Sequence, residues 1–338
     1  MLRVFALAFT FTGLFVLDAF AFAQVAPPQE QAIEMGEQQL TPPSGATDHN
    51  EPREHQKPDV SNKGAVRLLS TEDLTSGFIN DRRINAVLHQ RGIMLRDSES
   101  AVTADTLLEQ LETVGTKLDF ELPTVDPDPE VSKFDRSYQS TLIMANLYDC
   151  GRCDKAHVAT AGAVVLSHDG LVLTNHHVVN SPNDVFNFFA MSSDGRVFPV
   201  VEVLATSKSA DLAIVRIKAD NLTPVTLATE RPDPMDPLFV VSHPHDRYYS
   251  TSTGVVSRFS NQMVRGGKSQ NWMEITAKFS QGSSGSGVFN DAGELIGLVS
   301  RKDTIFQKGK DGKSRDLNLT IFKCVPLTEI KKAVGLSD

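Results

Sequence analysis

The spacing of apolar residues changes character several times along this chain. Val4 to Leu17 is an almost unbroken apolar run behind the basic Arg3. From Gln24 to about Lys63 apolar clusters nearly vanish among Gln, Glu, Pro, Asp, His and Ser. Between Val66 and Asp119 the period becomes helical. Ser70 and Thr71 before Glu72 and Asp73 predict an N-cap, with Leu74, Phe78, Val87 and Leu88 recurring after it. Thr103 predicts a second helix start, carrying Leu107, Leu108, Leu111, Val114 and Leu118 on one face. Pro123, Pro127 and Pro129 among acids then read as a linker.

From Thr141 onward the pattern is one of short strands punctuated by turn pairs such as Asp169-Gly170 and Asp194-Gly195. One set runs through Thr141 to Leu147, Val158 to Leu166, Leu171 to Thr174, Val185 to Ala190, Val197 to Leu204 and Leu212 to Ile217. A second follows the Pro-rich stretch from Arg231 to Pro237: Leu238 to Ser242, Thr251 to Phe259, Met273 to Ala277, Gly287 to Phe289, Leu295 to Ser300 and Leu319 to Cys324. Two such groups predict an all-β fold of two antiparallel six-stranded barrels preceded by a small helical region. The expected domains are a signal peptide (1–23), a disordered linker (24–65), a helical region and linker of unknown role (66–130) and the double barrel (131–338). Within the last, barrel 1 spans about 136–230 and barrel 2 about 236–338.

Charge and composition narrow the function. A net charge of −9 with no Lys/Arg-rich block excludes a nucleic-acid binder. Ala21-Phe22-Ala23 before Gln24 is the small-x-small pattern of signal cleavage, so the expected location is outside the cytoplasm, periplasmic or secreted. The apolar run is too short for a comfortable membrane span, so none is expected after signal removal. Three cysteines, Cys150, Cys153 and Cys324, suit an oxidising compartment, and a structural disulfide among them is expected with its connectivity open. Cys150-Gly151-Arg152-Cys153 lacks the βαβ context of a redox centre. A zinc site would want a fourth ligand, and nothing in the sequence fixes the nearby His157, so no metal is assigned.

Three local patterns carry chemistry. Leu173-Thr174-Asn175-His176-His177-Val178-Val179 sets a histidine at the end of a strand. Ser209-Ala210-Asp211-Leu212-Ala213-Ile214 sets an acid before a buried strand, where it needs a partner. Gln281-Gly282-Ser283-Ser284-Gly285-Ser286-Gly287 flanks a serine with glycines that permit a sharp turn. A base, an acid to orient it, a nucleophile and convergent amides are the requirements of acyl transfer.

These motifs resemble the trypsin-like serine peptidases, in particular the HtrA/DegP-like and V8-like branches. The family patterns T-N-x-H-V-V, D-(I/L)-A-(I/V/L) and G-x-S-G-(G/S) are matched at Thr174 to Val179, Asp211 to Ile214 and Gly282 to Ser286. The resemblance covers Thr141 to the C-terminus and includes no PDZ domain. It implies a serine endopeptidase with His177, Asp211 and Ser284 as catalytic triad, and Gly282, Ser283 and Ser284 as oxyanion donors. Protein or peptide substrates are implied, no cofactor is, and oligomerisation is left open. The resemblance disfavours His176, Ser283 and Ser286 as catalytic rivals, because His177 directly precedes Val-Val and Ser284 alone has the G-x-S-G register. Glutamate-specific V8-like enzymes carry a threonine and a histidine where this chain has Phe279 and Val299, so that specificity is not implied. Lys278, Phe279, Val299 and Ser300 are the substrate-binding candidates. A protease fold that binds without turnover, or waits for a partner, is the alternative.

Overall fold

A computed structural model of the chain describes residues 77–98, 102–125, 129–181, 184–263, 269–308 and 314–337. The expected signal peptide, the linker and the Ser70-Thr71 cap lie outside them. All described residues belong to one compact unit, Lys63–Asp338.

Two closed antiparallel barrels form as the strand pattern predicts. Barrel 1 comprises β1 (Thr141–Asp149), β2 (Ala156–Val165), β3 (Leu171–Thr174), β4 (Asp184–Met191), β5 (Val197–Ser207) and β6 (Leu212–Ile217). They close in the order β1-β2-β3-β6-β5-β4. Barrel 2 comprises β7 (Pro237–Ser242), β8 (Ser250–Met263), β9 (Ser269–Ile275), β10 (Gly287–Asn290), β11 (Leu295–Lys308) and β12 (Ser314–Pro326), in the order β10-β11-β12-β9-β8-β7. Leu142, Met144, Val165, Val172, Ala213 and Val215 share one buried cluster, and Val240, Val256, Met273, Val288 and Val299 share another. β11 and β12 run several residues further than the apolar pattern indicates. Their outer arms expose Ile305, Phe306, Leu317 and Leu319 and so follow no half-buried alternation.

The helices are part of the same body. Helix α1 (Asp81–Arg96) is capped by Asn80, whose side chain accepts the Arg83 N–H. Phe78 therefore precedes the helix and is 84% exposed. Gly92 of α1 lies against Phe189, and its carbonyl accepts the Asn187 side-chain amide. Helix α2 (Ala104–Thr113) begins as expected, with Thr103 accepting the Thr106 N–H. The Gln110 side chain of α2 accepts the Val203 N–H of β5. A third helix, α3 (Lys133–Gln139), capped by Ser132, has no apolar period long enough to be seen in sequence. The chain also forms the four-residue α4 (His176–Val179) and closes on α5 (Leu327–Ala333). No helix among the described residues is long and apolar enough to cross a membrane.

Candidate active site

The seam between the barrels brings the three motifs together. Gly162 of β2 donates its N–H to the Ser284 carbonyl at 2.6 Å, a contact close enough that a Cβ on Gly285 would sit 2.1 Å from the Gly162 oxygen. Only glycine tolerates that approach together with a φ of 83°. Thr174 at the end of β3 adds a hydroxyl bond to the same Gly162 carbonyl. The serine loop is thereby fastened beside the strand that delivers the histidines.

His177 Nδ1 lies 2.9 Å from both Asp211 carboxylate oxygens, and its own backbone N–H donates to Oδ1 at 3.2 Å. A carboxylate can only accept, so Nδ1 carries the hydrogen and Nε2 is left with its lone pair. The His177 side chain is half exposed, whereas that of Asp211 is 15% exposed. Asp211 adopts φ 55°, and the Asn175 side-chain amide holds its carbonyl at 2.9 Å. Burial and these bonds fix the acid against one edge of the imidazole.

His176 is committed elsewhere. The Thr206 hydroxyl donates to the Leu212 carbonyl, so His176 Nδ1 donates to that hydroxyl while its Nε2 accepts from Asn180. Burial holds its imidazole below the ordinary range. It is a structural, neutral histidine. Of the three serines in the Gly282–Gly287 loop, Ser283 and Ser286 are wholly buried and Ser284 lines the cleft.

Two successive turns shape the serine loop. Ser283 N–H donates to the Ser280 carbonyl, with Gly282 at φ 91°; Ser286 N–H donates to the Ser283 carbonyl, with Gly285 at φ 83°. A positive φ at the third residue is what a type II turn requires. The Ser283 N–H is therefore occupied, which removes Ser283 from the expected oxyanion donors. Among the described residues, the N–H groups of Gly282 and Ser284 have no backbone acceptor, and both residues line the cleft.

Ser284 Oγ donates to the Ser300 carbonyl at 3.0 Å and makes no hydrogen bond to His177 among the described residues. Ser300 in turn donates its hydroxyl to Asp211 Oδ2 at 2.5 Å. One residue thus touches both the acid and the nucleophile. Its place among the candidates was readable from sequence, but this double bond, spanning 89 positions to Asp211, was not.

The cleft beside these groups has a volume of about 180 Å³ and is walled by Met144 to Asn146, Ala159 to Ala161, Val178 and Phe188. Asn146 is missing from the sequence reading; its Oδ1 is buried there without a partner among the described residues. Of the other substrate-binding candidates, Val299 is fully buried in the barrel 2 core, and Phe279 packs edge-on against Phe322 at 5.0 Å. Neither side chain lines the cleft. Lys278 is exposed, with its carbonyl accepting the Ser252 hydroxyl. All three cysteines are free; Cys324 is buried on β12 opposite Met273 and Val299, so the expected disulfide does not form in the structure.

Residues 160–298 match the model of the trypsin-like peptidase domain, a stretch that contains His177, Asp211 and Ser284. The serine endoprotease DegS of Haemophilus influenzae is 28% identical over 171 residues, 50% of this chain and 47% of that protein. The serine protease HTRA1 of Xenopus tropicalis is 30% identical over 155 residues, 43% of this chain and 32% of that protein. A probable periplasmic serine endoprotease, DegP-like, of a Marinomonas species is 29% identical over 141 residues, 40% and 28% respectively. The chain spans about half or less of the length of the relatives it matches.

Proposed function

Starting from a chain that carries a trypsin-like peptidase domain, we propose that it is a serine endopeptidase cutting proteins outside the cytoplasm through Ser284, His177 and Asp211. The observation that carries the reading is the His177–Asp211 pair, in the tautomer that leaves Nε2 with its lone pair, beside a serine turn with two amides that have no backbone acceptor among the described residues.

In the reaction, Ser284 Oγ leaves the Ser300 carbonyl, turns to His177 Nε2 and attacks the scissile carbonyl as Nε2 takes its proton. Asp211 stabilises the imidazolium through Nδ1–H. The oxyanion accepts from the Gly282 and Ser284 N–H groups. Collapse breaks the C–N bond as Nε2 returns the proton to the leaving amine. Water, deprotonated by Nε2, then attacks the acyl ester and frees Ser284. No step needs a metal or an organic cofactor.

The Ser284–Ser300 bond favours a second reading, in which the enzyme rests with its nucleophile turned away until a bound chain displaces it. Export rests on the signal-like start and on the periplasmic naming of the DegP-like relative. The test is fluorophosphonate labelling and cleavage of an unfolded protein, wild type beside Ser284→Ala. Labelling and cutting by the wild type alone support the proposal. Reaction by neither form, with or without peptide, overturns it.

A further inference from the structure

The tip of the β1–β2 hairpin holds a cluster that catalysis does not use. Cys150 follows the end of β1, Cys153 stands in the loop, and His157 is the second residue of β2. Cys150 Sγ and Cys153 Sγ are 3.6 Å apart, and Cys153 Sγ is 3.1 Å from His157 Nε2. All three ligand atoms lie within 4.8 Å of one another. A tetrahedral zinc ion, with Zn–S about 2.3 Å and Zn–N about 2.0 Å, asks for edges of ~3.8 Å between sulfurs and ~3.5 Å from sulfur to nitrogen. The cluster comes within a few tenths of an ångström of that shape on the two measured edges.

The backbone builds this arrangement by local means. The Asp149 carboxylate accepts the Gly151 N–H at 2.8 Å, turning the chain at the strand end, and Gly151 takes φ 64°. His157 is fixed from the other strand: it pairs in register with Tyr148, and the two rings lie 5.7 Å apart. Cys324 is buried in barrel 2 and takes no part.

We propose that Cys150, Cys153 and His157 form a binding site for a thiophilic divalent cation of the zinc class. Two thiols lose their protons on binding and His157 offers the neutral Nε2, so uptake releases two protons per ion and weakens as pH falls. Among the described residues the cluster supplies three ligands, which leaves the fourth position to solvent and makes the ion exchangeable. The ion ties together the two strands that carry Asn146, Ala159, Thr160 and Ala161 to the cleft wall, so it braces the substrate side of the hairpin from its far end. This replaces the metal-free expectation, which lacked any means of bringing His157 to the cysteines.

The test uses the full chain, reduced and freed of metal under nitrogen, titrated with Co²⁺ as a spectroscopic probe. The expected result is a thiolate-to-cobalt charge-transfer band and tetrahedral d–d bands saturating at about one ion per chain and bleached by Zn²⁺. Cys153→Ser should lose half or more of the charge-transfer intensity, and His157→Gln should weaken binding at least about tenfold, while Cys324→Ser keeps the wild-type titration. Far-ultraviolet circular dichroism verifies that each variant is folded, and added Zn²⁺ should raise the melting temperature of the wild type but not of Cys153→Ser. The proposal is overturned if the reduced wild type binds no more Co²⁺ than the Cys150→Ser/Cys153→Ser double variant. It is equally overturned if His157→Gln binds as tightly as the wild type.

Discussion

Gly282→Ala tests the oxyanion assignment at the turn that makes it. A Cβ built at this position would lie 2.5 Å from the His243 carbonyl oxygen, a backbone atom that no rotamer change can remove. The residue must also keep φ 91°, which L side chains rarely adopt. The loop can accept alanine only by moving about half an ångström or more, and the Gly282 N–H moves with it. Donors must stand about 2.7–3.1 Å from the developing oxyanion, so a shift of this size loses the bond, and losing one such donor costs on the order of 10²–10³ in kcat, roughly 3–4 kcal/mol. Substrate affinity should change far less, because the bond forms only in the transition state. Stability should fall by about 1–3 kcal/mol from the strained φ, some 3–9 °C in melting temperature for a domain of this size. Gly335→Ala is the control: its φ of 80° carries a similar penalty, but nothing lies within 4 Å of the added Cβ. Steady-state peptide cleavage, fluorophosphonate labelling rates and thermal unfolding of the three proteins decide the matter. If Gly282→Ala cleaves within about threefold of the wild type, the oxyanion is not held at this turn. If Gly335→Ala loses activity equally, the loss reflects strain and not a missing donor.

Other expectations rest on separate contacts. His243 is wholly buried, donating Nε2–H to the Leu142 carbonyl and accepting the Tyr249 N–H at Nδ1, and burial pushes its pKa down to about 4. The unfolded chain binds this proton near pH 6.5 and the folded chain does not, so stability should be full above about 6.5 and be lost toward about 4 at up to ~1.4 kcal/mol per pH unit; urea midpoints that stay flat over this range would refute it. His177→Ala should abolish labelling with its unfolding midpoint nearly unchanged, whereas His176→Ala should lose about 1–3 kcal/mol of stability from its broken buried bonds and still label; the reverse pattern would exchange the two roles. Ser300→Ala removes the hydroxyl that braces Asp211 and should lower kcat roughly tenfold at constant KM, since a bond to a charged group is worth about 1.5 kcal/mol or more; an unchanged kcat would leave Ser300 only its backbone role. Asn146→Leu removes an unpaired buried acceptor from the cleft wall, so it should raise or preserve stability while increasing KM; a destabilised variant with unchanged KM would show that Asn146 serves packing alone.

The candidate site divides by how far each interaction reaches along the chain. The patterns that hold His177, Asp211 and Ser284 are local (a strand end, an acid before a buried strand, a serine between glycines), and the fold brings the three together beside one cleft, with the triad role itself proposed. The resemblance already preferred His177 over His176 by its place before Val-Val, and Thr206 and Asn180 add the reason, saturating one imidazole with neutral partners while the other faces a carboxylate. Ser283 resembled an oxyanion donor as a neighbour of Ser284, and only the turn back to Ser280 reveals its N–H as taken. The fold behaves alike. Strands buried on one face appeared in the apolar alternation, while the outer arms of β11 and β12 satisfy their backbone by pairing with each other and leave no such signature. The Asn80 cap of α1 carries no stronger local signal than other Asn, Ser or Thr positions, and it is followed by Ile84, Val87 and Leu88, which pack on barrel 1. Cys150, Cys153 and His157 follow the same logic at the shortest range. Their spacing is plain in the sequence, yet whether His157 faces the sulfurs depends on hairpin register, because a slip of one residue would turn it to the opposite face of β2.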